Sequence, residues 1–295
     1  MDAADLRIFE TVARAGAMSR AAVELNTVQS NVTARVRSLE GELGTPLFTR
    51  SRRGVALTDA GRRLLPYAER LRTMLVDARR AVRDDGTPTG PLTLGTLETT
   101  AALRLARPLA RFTARWPDVD LALRAGTTAE LVGSTLRRDV EGAFVCGPVD
   151  HPDLVERVVF RETLAVVGGP ALRSIEALRA GRETRIVVLR AGCSYRQRLE
   201  DVLARRGVVA TRTLEFGTIE AMLACVAAGI GVTLLPRALV AAGTAGAGGA
   251  RGLTLHALPA ADADVATVFI RRRDAAPSRA LDAFISIVGG ARHPT

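Results

Sequence analysis

Lysine is absent from this 295-residue chain, so all 41 of its basic Lys-plus-Arg positions are arginine. A bias that complete fits a GC-rich coding sequence better than a functional choice at any one site. Aromatic residues make up only 4% against 47% apolar residues, so the core has to be built mostly from Ala, Val and Leu. The three cysteines (Cys146, Cys193, Cys225) show no paired spacing, which excludes a disulfide scaffold and points to a reduced, cytoplasmic protein. His151, His256 and His293 have no metal-ligand spacing among themselves or with the cysteines, so no metal and no cofactor are expected. Long apolar runs are missing too. Residues 221–236 come nearest, but glycines and Thr233 interrupt them, and they fall short of the roughly 20 residues a membrane span needs. The start, MDAADLRIFE, carries acids where a secretory signal needs a basic end and an apolar run. Membrane partners are therefore not expected. No G-x-S-x-G, P-loop or dinucleotide fingerprint occurs in its proper context, and no catalytic residue is assigned.

What the chain does have is positive charge, a net +10 that favours an acidic partner. The organising stretch is residues 17–43, AMSRAAVELNTVQSNVTARVRSLEGEL. On a helix from Gln29 to Leu43, the residues Val32, Val36, Leu39 and Leu43 fall in one narrow stripe. The other face presents Ser30, Ala34, Arg37 and Ser38, with Asn31 and Thr33 on its flanks and Gln29 at its start. Such a face suits the major groove, where Arg bonds guanine and Asn or Gln bonds adenine in pairs. Ser19 is placed to cap a short preceding helix through Leu25 that also carries Arg20, and Asn26-Thr27 makes the turn. Two core helices with a solvated face would give the same spacing, and the neighbourhood separates the two readings. Arg50, Arg52 and Arg53 form a basic loop between short extended pieces, which reads as a wing holding phosphates. Between Ser19 and Arg63, eight arginines face four acids, a local excess of four positive charges.

Taken together, SRAAVELN, VQSNVTARVRSLEGELGTPLFTR and GVALTDAGRRLL resemble the DNA-binding end of LysR-type transcriptional regulators over about the first sixty-five residues. Two positions depart from that pattern. Val28 stands where the family usually has Ser, which moves the expected cap to Thr27, and Ser30 stands where Pro or a small residue is common. The resemblance implies an α + α/β architecture: an N-terminal winged helix-turn-helix, a long linker helix and a two-lobed, periplasmic-binding-protein-like α/β effector domain. The expected domains are 1–57, 58–89 and 90–295, with lobe 1 about 90–162 and 267–295 and lobe 2 about 163–266. The implied partners are double-stranded DNA, a small-molecule effector and a second copy of the chain, as a homodimer or homotetramer. RNA polymerase is a further candidate partner.

The remaining sequence supplies the matching pattern. A first helix carries Leu6, Phe9, Val12 and Ala13 and ends near Gly16. Residues 58–84 repeat Leu64, Tyr67, Leu71, Met74, Leu75, Ala78 and Val82 with helical spacing, a seam that calls for a partner helix, and Pro66 should bend it. Residues 84–91 are turn formers. Beyond them, expected strands at 91–96, 119–124, 141–146, 164–167, 186–189, 211–216, 231–235 and 265–270 alternate with helices at 99–115, 129–137, near 175, 194–206, 219–228 and 277–288. That alternation argues for α/β lobes with mostly parallel sheets. A glycine-rich loop is expected at 243–252.

Ligands of open α/β sheets lie beyond the carboxyl ends of the strands. Four strand-to-helix junctions qualify: Leu97-Glu98-Thr99-Thr100, Gly126-Thr127-Thr128, Gly192-Cys193-Ser194 and Phe216-Gly217-Thr218. Each alone could be plain helix capping; four together on a sensing domain favour a pocket for a small carboxylate or similar anion. Glu98 is discordant there, and either pairs with Arg196 or meets a donor group on the effector. An alternative is redox sensing. Gly192-Cys193-Ser194-Tyr195-Arg196-Gln197 resembles the reactive-cysteine segment of the family's peroxide-sensing branch, although Gly192 and Val202 replace that branch's His and resolving Cys. A helix-turn-helix fused to an enzymatic domain is the remaining alternative.

Overall fold

The computed structural model describes residues 1–51, 54–83, 86–180, 184–189, 192, 194–244 and 252–290, with the backbone alone at 50, 51, 73, 76, 77, 79–83, 180, 210, 211 and 242–244. The chain forms two compact units, Met1–Gly86 and Thr87–Thr295.

In the first unit, α1 (Ala3–Ala15) opens on a reciprocal cap. The Asp2 carboxylate accepts from the Asp5 N–H at 2.8 Å, and the Asp5 carboxylate accepts from the Asp2 N–H at 3.1 Å. Its Leu6, Phe9 and Val12 are buried together with Val32, Val36 and Leu39 of α3 (Gln29–Leu43), and α2 (Met18–Glu24) adds Met18, Ala21 and Ala22. Leu43 is exposed, because α3 ends there at Gly44, whose φ of 65° favours a residue without a side chain. Both expected caps are corrected. Ala17, not Ser19, precedes α2, and Ser19 lies within the helix. Val28, not Thr27, precedes α3, and the Thr27 hydroxyl instead accepts from the Asn31 side-chain amide at 3.0 Å. Neither helix start has a side-chain cap.

Strands β1 (Phe48–Ser51) and β2 (Gly54–Leu57) form an antiparallel hairpin, the wing. Glu40 of α3 holds its entry, accepting from the Leu47 and Phe48 N–H groups at 2.8 and 3.1 Å. The long helix α4 (Asp59–Arg83) starts against the same segment. A Cβ at Gly61 would stand 2.3 Å from the Leu47 carbonyl oxygen, so only glycine allows that approach. Pro66 lies inside α4. The helix belongs to the first compact unit, and its apolar seam divides. Ala68 is buried and Leu64 and Leu71 pack on the helix-turn-helix core, while Tyr67, Met74 and Leu75 stay exposed. Arg72 reaches Glu10 of α1 at 3.1 Å.

The second unit begins with β3 (Gly90–Thr96), followed by α5 (Glu98–Thr100), a π turn (Ala101–Leu105) and α6 (Ala106–Arg115). Then come β4 (Val119–Ala125), α7 (Thr128–Leu136), β5 (Gly142–Cys146) and β6 (Leu154–Gly168). After a 3-10 turn (Glu176–Ala180) follow β7 (Thr184–Leu189), α8 (Ser194–Arg205), β8 (Ala210–Phe216), α9 (Ile219–Ala227), β9 (Thr233–Pro236) and α10 (Arg237–Thr244). The chain closes with β10 (Thr254–Ala257), α11 (Ala260–Ala263), β11 (Asp264–Arg272) and α12 (Arg279–Gly290). The linker residues 84–85 and most of the glycine-rich loop, 245–251, lie outside the described residues.

The sheets are mixed rather than mostly parallel. β3 pairs in parallel with β4 and β5, and β7 with β8. In contrast, β11 runs antiparallel to β5 and β6, and β6 antiparallel to β9 and β10. The cause is β6. It is ten residues longer at its start than the expected strand at 164–167, and it crosses from one lobe to the other. Its first part, Leu154 to Thr163, pairs with the returning β11, and its last part, Leu164 to Gly168, pairs with β9 and β10. A strand leaving a lobe and a strand returning beside it are necessarily opposed in direction.

The scarce aromatics are concentrated. Phe112, Phe144, Phe160, Phe269 and Phe284 share one core with Leu92, Leu94 and Leu105. Phe112 meets Phe284 edge-on at 5.3 Å, and Phe144 lies 5.0 Å from Phe269. The other lobe is the aliphatic one expected from composition, with Leu164, Val166, Ile186, Leu199, Val202 and Leu234.

Candidate nucleic-acid interface and ligand cavity

The buried stripe of α3 fixes which side faces out. Gln29, Ser30, Asn31, Ala34, Arg37 and Ser38 are exposed and Thr33 is half-buried. Ser19 and Arg20 of α2 are exposed as well. Charge on this unit is more committed than composition suggests. Arg35 pairs with Asp5 at 2.7 Å, Arg62 with Asp59, and Arg14 with Glu24. Arg20 and Arg37 form no ion pair among the described residues, so their guanidinium groups remain available to an external anion. The two strands of the wing are in place. The Arg50 side chain and all of Arg52 and Arg53, where the phosphate-gripping expectation falls, lie outside the described residues. Val23 on α2 and Val28 just before α3 are 78% and 65% exposed, apolar groups that a search for polar base readers passes over.

In the second unit, a cleft with about 540 Å³ of empty space, open solvent included, lies where the strands of both lobes end. It is lined by Leu97, Glu98, Thr99, Gly126, Thr127 and Thr128 on one side and by Leu189, Ser194, Tyr195 and Gly217 on the other, with Ala125 and Cys146 completing the wall. Seven of these residues stand at the junctions that the strand-end rule selects and bear side chains or glycines of the expected kind: Glu98, Thr99, Gly126, Thr127, Thr128, Ser194 and Gly217. Thr100 and Thr218 do not line it. Thr100 is buried, and Thr218 caps α9 by accepting from the Ala221 N–H at 3.3 Å. Cys193 lies outside the described residues. Of the other cysteines, Cys146 lines the cavity, whereas Cys225 packs beside a separate core around Val187 and Met222.

Capping and lining coincide at α7. Thr127 and Glu130 form a reciprocal cap, with the Glu130 N–H donating to the Thr127 hydroxyl at 3.3 Å and the Thr127 N–H to the Glu130 carboxylate at 2.8 Å. The Thr128 hydroxyl accepts from the Cys146 N–H at 3.3 Å, tying α7 to the end of β5. The expected Glu98–Arg196 pair does not form. Arg196 is held by Glu200 at 3.1 Å and Glu215 at 2.9 Å. Of the apolar lining, Leu97 stands in the first junction, whereas the part formed by Ala125, Leu189 and Tyr195 escapes a reading that looks only for polar groups. Its signal is position, since each of these residues ends a strand or adjoins a junction residue. Among the described residues, no group of three His, Cys, Asp or Glu gathers as a metal site, and no helix is long and apolar enough to cross a membrane.

Known proteins share this layout. Residues 3–62 match the family model for the bacterial regulatory helix-turn-helix protein of the lysR family, and residues 85–291 match the LysR substrate binding domain. The HTH-type transcriptional regulator GltR of Bacillus subtilis is 38% identical over 281 residues, covering 95% of this chain and 94% of that protein. The HTH-type transcriptional regulator YofA of Bacillus velezensis is 40% identical over 274 residues, covering 93% of each. In fold, the chain is similar to full-length OxyR from Pseudomonas aeruginosa (TM-score 0.72, 20% identity, 98% of this chain and 94% of that one). It is also similar to full-length CbnR complexed with its target DNA (TM-score 0.66, 22% identity, 99% and 100% covered).

Proposed function

The chain belongs to the LysR family of bacterial transcriptional regulators, and from that premise we propose how its two units divide the work. It is a DNA-binding regulator with an effector-binding domain. The outward face of α3, chiefly Gln29, Ser30, Asn31, Ala34, Arg37 and Ser38, reads base edges in the major groove, with Thr33, Ser19 and Arg20 at its margins. The wing residues Arg50, Arg52 and Arg53 hold the phosphate backbone. The observation that carries this reading is that Arg37 is exposed in the middle of a polar helix face and forms no ion pair among the described residues.

A small effector bearing an anionic group occupies the cavity lined by Glu98, Thr99, Gly126, Thr127, Thr128, Ser194 and Gly217; the sequence assigns Thr100, Cys193 and Thr218 to the same junctions. It is bound and released unchanged, so the protein is a sensor and not an enzyme. Exposed Tyr67, Met74 and Leu75 on α4 support self-association through residues 58–84, as a dimer or a tetramer. Effector binding then alters the relative angle of the paired DNA-binding units and, through it, contact with RNA polymerase in the cytoplasm.

The test is a binding titration of the full-length chain on a duplex enriched from a random library. Arg37→Ala should lose about 1–3 kcal/mol on that duplex, the value of one paired base contact, and much less on a scrambled one. Equal losses on both duplexes would make Arg37 a backbone contact; no loss on either would remove α3 from the groove.

A further inference from the structure

We propose that the effector carries a protonated amine that pairs with Glu98, an inference that rests on the cavity being the effector site. Three observations lead to it. Glu98 lines the cavity, and no hydrogen bond or ion pair is formed by its carboxylate among the described residues. Arg196, the partner that the sequence suggested for it, is already shared between Glu200 and Glu215. Among the described residues lining the cavity there is no Arg and no His, which leaves Glu98 as the charged member of a mostly apolar wall.

A carboxylate facing such a wall is costly unless something brings it a donor. Ligand entry would displace the water that solvates it, so an anion-only or wholly apolar ligand would leave a bare negative charge in its own binding site. A primary ammonium supplies three N–H donors and the opposite charge. Thr99 adds an independent indication. It is 4% exposed, lines the same cavity, and its hydroxyl has no partner among the described residues, so it too is free to accept from a ligand N–H. Leu97, Leu189 and Tyr195 then cover a small apolar body. The chemistry that satisfies all of these is an amino acid or a similar amine with an anionic group directed away from Glu98.

The experiment uses the full-length chain and matched trios of probes. Each trio is an α-amino acid, the carboxylic acid that lacks its amine, and the amine that lacks its carboxylate, with side chains from the size of alanine to that of phenylalanine. Binding is read by calorimetry on wild type, on Glu98→Gln and on Ala125→Phe, which fills the cavity from an exposed position. In at least one trio the amine-bearing probes should bind wild type, while the deaminated acid binds weakly or not at all. Glu98→Gln should weaken the amine-bearing probe about 10-fold to 100-fold, the range of one charge-assisted hydrogen bond. Ala125→Phe should abolish its binding.

The proposal is overturned if no amine-bearing probe binds, if the deaminated acid binds as tightly, or if Glu98→Gln leaves affinity unchanged. Acids that bind wild type and fail on Ala125→Phe would keep the cavity as the effector site while removing the amine. Binding that survives Ala125→Phe would remove the cavity reading itself.

Discussion

Phe9→Ala is expected to cost the first unit about 3–5 kcal/mol, the usual price of emptying a fully buried aromatic site. Phe9 is 0% exposed at the centre of the helix-turn-helix, where its ring lies 5.2 Å from that of Phe48 at the start of the wing. Val32 and Leu39 of α3 belong to the same buried cluster. Removing the ring therefore loosens the helix that carries the reading face and the strand that carries the wing at once. At roughly 0.05–0.15 kcal/mol per residue, a unit of this size has only several kcal/mol to lose. Urea unfolding of the full-length chain should show a new early transition, with DNA binding lost and probe binding in the second unit kept. A single transition at the wild-type midpoint would show that Phe9 does not anchor the unit.

Glu162→Ala should be comparably severe in the second unit, at about 3–5 kcal/mol. Glu162 is 7% exposed and receives two hydrogen bonds from Arg104, Nε at 2.6 Å and Nη2 at 3.0 Å. Arg104 sits in the π turn, with its guanidinium 5.8 Å from the Phe160 ring, and Glu162 sits on β6 as that strand approaches the second lobe. The pair thus fastens the helix behind the cavity to the crossing strand. Deleting only the acid leaves a half-buried guanidinium without its main counter-charge. Replacing both partners, Arg104→Met with Glu162→Met, should recover most of the loss, since an apolar pair of similar volume avoids the desolvation cost. A double variant as unstable as Glu162→Ala would assign the effect to packing and not to charge.

These two cases mark where sequence reading succeeds and where it stops. The α3 face is legible because Val32, Val36 and Leu39 repeat with the helical period, and that period alone decides where Arg37 points. The cavity is legible at Thr99, Gly126, Thr128 and Ser194 because strand ends and helix starts converge there whatever the details of each lobe. The Arg104–Glu162 pair is invisible, since 58 positions separate its members and neither shows a local pattern. The first part of β6 is hidden by Glu156, Arg157, Arg161 and Glu162, which interrupt the apolar run on which strand recognition depends. Short β10 alternates half-buried and exposed residues at a sheet edge, too weak a signal to separate from loop. Ser19 misleads because a hydroxyl before an apolar run is the usual cap, yet here the backbone turns into α2 at Ala17 without one.

The central claim is that α3 lies in the DNA groove, and tethered cleavage tests it most directly. Ser30→Cys, in a full-length chain carrying Cys146→Ser, Cys193→Ser and Cys225→Ser, would bear an iron–EDTA group at the start of the reading face. A second chain would bear the same group at Arg124→Cys, an exposed position in the other unit. On the enriched duplex, the group at residue 30 should cut within the protected sequence, at positions centred on the major groove of each half-site, and the group at 124 should not. Protection of the duplex with no cleavage from residue 30 would place the DNA on another surface and contradict the account.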